Sequence, residues 1–482
     1  MGNITPDFLT SLEEVRRRIM HMHTHFPYRP RRPRSFRLLI PVLLSAALGG
    51  IAGGPAGPRP VEAAPPAQNW PQWRGPLATG FSPTATPPTT WSETKNIRWK
   101  VKLPGSGTGT PIIWDNWIFL QTAVPAAGDV APRSGATGGG RGGMRTVQPD
   151  GPVRFTLLCL DRRTGRVLWE RSARQEVPHE GHHPDHGFAS QSPITDGKSV
   201  IAFFGSRGLY CYDMKGNVKW QKQLGRMQTR NGFGEGSSPA LFGNTVVVNW
   251  DHEGEDFIVA LDRTSGKELW RQPRDEPTTW TTPLIVQHGG QAQVVTAGTN
   301  RVRSYDLATG RTVWEHGGLT TNVIPSPVSG NGMVYLTSGF RGSALFAVRL
   351  GRTGDLTNTD AVAWSLRRNT PYVPSPLLYA DRIYFFSSND AILSCHDALS
   401  GKVLIDAQRV EALRGVYASP VGAAGRVYLV GRDGASLVLK KSDRTEILAT
   451  NQLDEHFDAS PALAGKELYL RGHQYLYCIA EK

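Results

Sequence analysis

A set of eight Ser/Thr-Pro dipeptides recurs at near-regular spacing along this chain, at Thr110-Pro111, Ser192-Pro193, Ser238-Pro239, Thr282-Pro283, Ser326-Pro327, Ser375-Pro376, Ser419-Pro420 and Ser460-Pro461. Successive prolines lie 82, 46, 44, 44, 49, 44 and 41 residues apart. A period near 44 marks an array of one repeated supersecondary unit. The 482 residues can therefore form one large domain rather than two or three. The first gap is long because a Gly-rich segment, Pro125 to Pro152, interrupts it.

The clearest copy shows what repeats. After Ser238-Pro239-Ala240 come Thr245-Val246-Val247-Val248, then Phe257 to Asp262, Ser265-Gly266 and Glu268-Leu269-Trp270. Short apolar runs between Gly, Asn and Asp turns read as four strands per unit. Four-stranded units of about 40–45 residues build propeller blades. The 53 Gly and 35 Pro suit such a turn-rich all-β chain, and 13 Trp supply core material.

The turn before the last strand carries Asp, Thr or Ser, and Gly, with Trp four residues after the Gly. It occurs as Asp161, Gly165, Trp169; as Asp262, Gly266, Trp270; as Asp306, Gly310, Trp314; and, one residue shorter, as Asp213, Gly216, Trp220. Asp can cap backbone N–H groups, Gly supplies positive φ, and the Trp is placed to wedge between blades. Asp397 and Gly401 keep the turn with Ile405 in place of Trp. The fifth repeat has Trp364 behind an insertion containing Gly351 and Gly354, and the seventh, near Asp443-Arg444, lacks the motif. Cys159, Cys211 and Cys395 each lie two residues before the motif Asp, and Cys478 holds the same place in the last repeat. All four are expected to be buried free thiols standing in for Ala, too far apart for disulfides.

The eighth repeat ends after Tyr475-Leu476-Tyr477-Cys478-Ile479 and lacks its outer strand. Ile97-Arg98-Trp99-Lys100-Val101 is a Trp-bearing strand with no repeat of its own. The expected fold is an all-β, eight-bladed β-propeller over residues 97–482. The N-terminal strand completes the last blade and closes the ring, which removes exposed sheet edges. Residues 65–96 are read as an N-terminal extension.

Ala260-Leu261-Asp262-Arg263-Thr264-Ser265-Gly266-Lys267-Glu268-Leu269-Trp270 and the Ser-Pro first strands resemble the PQQ-like (pyrroloquinoline quinone) β-propeller repeat family, across about residues 70–482. Trp70-Pro71-Gln72-Trp73-Arg74-Gly75-Pro76 is similar to the opening of secreted members from planctomycete-type bacteria. The resemblance implies one of two classes. One is the quinoprotein dehydrogenases, which hold PQQ and Ca²⁺ on the propeller axis and oxidise alcohols or sugars. The other is non-enzymatic scaffolds similar to the BamB-type outer-membrane assembly lipoproteins. The chain departs from the first class in lacking an adjacent Cys pair, in being shorter, and in offering no match to its Ca²⁺-binding Glu-Asn-Asp set or catalytic Asp. It departs from the second in having no N-terminal Cys. The docking motif is structural and says nothing of a bound quinone. The expected function is a binding or scaffold module of the cell envelope without a cofactor; the alternative is a PQQ- and Ca²⁺-dependent oxidoreductase.

The formal charge is +13, and residues 1–60, with nine Arg and three acids, carry +6 of it. The remainder is mixed, which argues against a nucleic-acid surface. Arg29, Arg31, Arg32, Arg34 and Arg37 precede the apolar run Leu38 to Leu48, and Val61-Glu62-Ala63 offers a cleavage site. Residues 1–64 thus read as a secretory signal or an uncleaved N-terminal anchor. The apolar run is short for a transmembrane helix. The expected destination is periplasmic or secreted, with an envelope protein or extracellular ligand as partner, no nucleic acid, and membrane contact only through an uncleaved N-terminus.

Strand alternation puts the loops between blades on the same face as those joining second and third strands. Phe233, Glu235, Trp280, Asn322, Tyr372, Tyr417 and Asp458 enter the innermost strands and should ring a funnel mouth. They either pack the channel or hold a flat ligand or peptide. On that face His179, His182, His183, Asp185 and His186 offer imidazole and carboxylate donors for a divalent metal, or form a solvated loop. Their spacing fits no standard zinc motif. Asp251 to Asp256 lacks the Ca²⁺-loop pattern and reads as a polar turn. Gly138 to Gly143 reads as a flexible loop, since no Gly-Lys-Ser/Thr follows. The Gly351 to Ala361 insertion, on the opposite face, has no chemical signature, and no Ser-His-Asp grouping can be read from spacing.

Overall fold

The structure is a computed structural model that describes residues 68–126 and 146–481. The signal or anchor reading of residues 1–64 and the Gly138 to Gly143 run lie outside the described residues. Eight sheets follow one another along the chain, each with the four-stranded meander expected of a blade. Blade three is typical: Ala240–Phe242, Thr245–Trp250, Phe257–Asp262 and Glu268–Pro273, paired antiparallel in that order. Blade eight consists of Ala462–Ala464, Glu467–Arg471 and Tyr475–Ile479, and its outer strand is Ile97–Lys102. The N-terminal strand therefore closes the ring, with Trp99 opposite Cys478.

The seams between blades explain the turn motif. Trp99, Trp169, Trp220, Trp270 and Trp364 each lie over the motif Gly of the following blade: Gly165, Gly216, Gly266, Gly310 and Gly401. Each indole N–H also donates to the carbonyl of the residue after the motif Asp: Arg162 at 3.0 Å, Met214 at 3.3 Å, Arg263 at 2.8 Å, Leu307 at 2.9 Å and Ala398 at 2.9 Å. Trp314 departs from this pattern. Blade five has no Gly turn to receive it, so its N–H stays within its own blade and bonds Gln293 Oε1 at 3.2 Å. The blade-five insertion answers this gap: Gly354–Asp355 adds a fifth, parallel strand beside Trp314 and Glu315.

The cysteines mark the same register from inside. Cys478, Cys159 and Cys211 lie directly opposite Trp99, Trp169 and Trp220, as Ala260 lies opposite Trp270. A small side chain leaves room for the neighbouring indole. All four thiols are free and buried. Burial pushes Cys159, Cys395 and Cys478 up to about 12, which keeps them protonated and inert.

The Ser/Thr-Pro marks lie at the axis. Each blade's Ser/Thr backbone N–H donates to the Ser/Thr hydroxyl of the next blade. The seven links run from Thr110 through Ser192, Ser238, Thr282, Ser326, Ser375 and Ser419 to Ser460, at 2.9–3.1 Å. Thr110 Oγ1 completes the circle by donating to the Ser460 carbonyl at 3.0 Å. An innermost strand has no strand on its inner side. Proline removes one donor there, and the hydroxyl satisfies the other.

The extension before Ile97 is part of the ring. Trp70 bridges to Ile113 of blade one, and Arg74 Nη2 donates to the Pro376 and Pro420 carbonyls of blades six and seven, both at 2.8 Å. Phe81 then bridges to Gly422, and Thr86 donates to Gly465 of blade eight. This path carries Trp73 and Arg74 across the axis.

Candidate functional site

A cavity of about 340 Å³ occupies the axis above Trp73. Trp73 is its floor, held by an indole N–H bond to Ser326 Oγ at 3.1 Å. Around that floor stand Ser238, Thr282, Ser326, Ser375, Ser419 and Ser460 of the axial ring. Each of these six hydroxyl oxygens accepts a neighbour's N–H, which leaves its own proton available as a donor.

Six of the seven residues expected at the funnel line this cavity: Phe233, Trp280, Asn322, Tyr372, Tyr417 and Asp458. Trp280 is locked by its N–H bond to the Gly234 carbonyl at 2.7 Å. Tyr372 stacks on Phe340 with ring centres 4.9 Å apart, and Phe233 meets the His183 ring edge-on at 5.1 Å. Glu235 does not line the funnel. Its carboxylate turns between blades and accepts the Ser206 N–H and hydroxyl, both at 2.6 Å, and Arg207 Nη1 at 2.9 Å. Side chains alternate along an extended segment, so Gly236, not its neighbour, faces the axis.

The mouth is crossed by a charged strap. Asp185, in the loop between blades one and two, accepts Tyr417 Oη at 2.8 Å and Arg432 Nη2 at 2.9 Å. Arg432 also gives Nε to Asp458 Oδ1 at 2.7 Å, and its guanidinium lies 4.0 Å above the Tyr417 ring. Burial pushes both carboxyls up, but the Arg432 and Tyr417 bonds at Asp185, and the His473 Nε2 and Arg432 bonds at Asp458, outweigh it and hold both below their usual range. Burial, reinforced by Asp185, raises the Tyr417 phenol. The mouth thus carries two carboxylates against one guanidinium.

The rest of the 179–186 histidine loop does not converge. His179 Nε2 bonds the Met227 carbonyl at 2.7 Å, and His182 Nδ1 bonds the His183 carbonyl at 2.7 Å. His183 Nδ1 accepts the Asp185 N–H at 3.1 Å, and His186 Nδ1 bonds the Gly187 carbonyl at 2.9 Å. Burial pulls His186 down to about 4, so it is neutral in the cavity wall. His183, Asp185 and His186 line the funnel; His179 and His182 do not. The 251–256 acids are used within the protein. Asp251 forms a fully buried pair with Arg274 at 2.6 Å, Glu253 accepts the Thr278 hydroxyl at 2.9 Å, and Asp256 accepts the Glu276 N–H at 2.7 Å.

Trp73, Phe340 and Arg432 join this site without a repeat motif that marks them. Trp73 sits in a Trp-rich run outside the repeats, which was a usable signal.

The family model described as outer membrane protein assembly factor BamB matches residues 88–249 and 232–482. No curated protein sequence matches the chain. Among solved structures, BamB from Moraxella catarrhalis is 15% identical, covering 79% of this chain and 98% of its own, with a TM-score of 0.50. A europium-containing methanol dehydrogenase is 10% identical, covering 83% and 89%, with a TM-score of 0.55. The quinohemoprotein alcohol dehydrogenase ADHIIG from Pseudomonas putida HK5 is 11% identical, covering 85% and 80%, with a TM-score of 0.50. Identities this low carry the fold and no activity. Eight blades, a closed ring and a family match spanning most of the chain lead to one conclusion: this protein belongs to the PQQ-like β-propeller family described as outer membrane protein assembly factor BamB.

Proposed function

We propose that this protein is a periplasmic or secreted binding module of the cell envelope. Its funnel takes a flat, uncharged or cationic group presented by a partner protein or an extracellular molecule. The observation that carries this reading is the funnel itself: about 340 Å³, aromatic walls, a Trp73 floor ringed by hydroxyls, and an acidic mouth. That volume falls within the roughly 300–1,000 Å³ of small-ligand sites. The family's description supports an envelope setting.

PQQ suits these residues poorly. It is a tricarboxylate, and among the described residues no Lys or Arg lines the cavity; Arg432 at the mouth is already paired with Asp185 and Asp458, which do line it. Ca²⁺ beside the quinone would need free oxygen ligands. Ca²⁺ takes about six to eight oxygen ligands, and the cavity offers two carboxylates, of which Asp185 is held through both oxygens by Arg432 and Tyr417. No reaction step is derived through that cofactor.

Three probes sharing one ring test the reading: benzylamine, benzyl alcohol and benzoate, followed by saturation-transfer NMR. The amine and alcohol should bind and the benzoate should not, with binding abolished in Trp280→Ala and Phe340→Ala. Equal binding of benzoate, or binding indifferent to both variants, would sink it. Retention of PQQ with Ca²⁺, followed by dye-linked alcohol oxidation, would replace it with the oxidoreductase reading.

A further inference from the structure

We propose that His456, Asp458 and His473 form a divalent-metal site of the zinc class at the funnel rim. Their ligating atoms all lie within 4.8 Å of one another, the one such group of three among the described residues. His473 Nε2 is 2.9 Å and His456 Nε2 3.4 Å from the same atom, Asp458 Oδ2. Two ligands bound tetrahedrally at about 2.0 Å from zinc stand roughly 3.3 Å apart, so an ion fits with small adjustments. Two imidazoles and a carboxylate are the donor set that suits Zn²⁺ or a similar borderline ion.

A second observation points the same way. His456 Nε2 is sealed from solvent, and its nearest acceptor, Asp458 Oδ2 at 3.4 Å, makes no well-formed hydrogen bond with it. A buried polar atom without a partner is uncommon and calls for an explanation; a metal ion supplies one. The surroundings hold the three ligands in place. The His473 N–H donates to the His456 carbonyl at 3.1 Å, and Glu455 Oε2 accepts the Gln474 and Tyr475 N–H groups at 3.1 and 3.0 Å. The turn carrying His473 is thereby tied to the segment carrying His456. Arg432 Nε grips Asp458 Oδ1 at 2.7 Å and its Nη2 reaches Oδ2 at 3.3 Å, the outer support that metal carboxylates need, and a bound ion would replace the His473 Nε2 hydrogen bond to Oδ2. Arg432 itself is shared with Asp185, so its charge is offset. The groove in front of the site is lined by Glu93, Asp433, Asp454 and Glu455, which favour a cation, and it leaves room for a fourth ligand.

The site shares Asp458 with the funnel but does not rest on the ligand proposed there, and its test uses metal alone. Tag-free full-length protein, stripped with a chelator, is titrated with Co²⁺ and then Zn²⁺. We expect one Co²⁺ per chain with visible d–d absorption of low coordination number, displaced by one Zn²⁺. His456→Ala and His473→Ala should each lose stoichiometric binding. Their side chains are 41% and 52% exposed, so both variants should melt like the stripped wild type. His183→Ala should bind as wild type does. Absence of stoichiometric Co²⁺ or Zn²⁺, or binding that survives in His473→Ala or disappears in His183→Ala, would overturn the assignment.

Discussion

Asp262 shows how much one exposed side chain can organise. Its Oδ1 accepts the Thr264 N–H and hydroxyl at 3.0 and 2.6 Å and the Ser265 N–H and hydroxyl at 2.8 and 2.7 Å. These bonds, the Thr264 hydroxyl first, pull its pKa down to about 2. Asp161, Asp213 and Asp397 occupy the same turn in other blades, and each is lowered. A carboxyl depressed by folding adds stability that is present above its unfolded pKa and is lost as pH falls through its folded one. Asp262→Asn keeps an acceptor oxygen but loses the charge. We expect wild type to exceed it in urea midpoint near pH 6, with the gap closing as pH falls from about 4 to 2. A gap that does not change with pH would show that the charge contributes nothing to the turn.

At the scale of elements, the decisive contact is the one that closes the ring. Trp99 on the last outer strand rests on Gly165 of the first blade, whose φ is +74°. A Cβ at Gly165 would lie 2.7 Å from the indole. Gly243 has a similar positive φ of +56°, but a Cβ there would meet nothing within 4 Å. The two glycines therefore separate backbone strain from seam packing. Gly243→Ala should cost about 1–2 kcal/mol from the left-handed backbone alone. Gly165→Ala should cost clearly more, because Trp99 must give way. Denaturant unfolding of both variants decides this; equal losses would mean that the Trp99 seam adds nothing to closure. The insertion in blade five belongs to this scale too. Without a Gly turn to receive Trp314, the chain covers that side of blade four with a short parallel strand.

For the whole molecule, the segment before the first strand decides what the axis can hold. Trp73 lines the funnel and also a second cavity of about 360 Å³ on its other side, so one indole separates them. Arg74 beside it is buried without a carboxylate, and burial pulls it down to about 9. We expect Trp73→Ala to join the two cavities into one axial channel, visible in a crystal structure as a continuous water column. It should also lower the melting temperature, since truncating a Trp in a packed site costs up to about 3–5 kcal/mol. Two separate cavities in that variant would assign the partition to the axial hydroxyls instead.

The period of the Ser/Thr-Pro marks, the Asp-Gly-Trp turns and the unpaired strand at Ile97 determine the all-β ring, its blade number and its closure. These are local patterns, repeated until they are unambiguous. The placement of the cysteines was legible for the same reason. The Ser/Thr-Pro period marked the axis, but not that its hydroxyls link blade to blade, because that bond joins residues 41 to 82 positions apart. The funnel lining was legible wherever it followed strand alternation, as at Trp280 and Tyr372. It failed at Glu235, where Arg207 and Ser206 of the preceding blade offer stronger partners. Only the tertiary structure brought Asp185 to Arg432 across 247 positions, carried Trp73 over the axis, and set His473 beside His456. A repeat dictates how each blade pairs with itself; what meets at the mouth depends on ring closure, which places distant turns side by side.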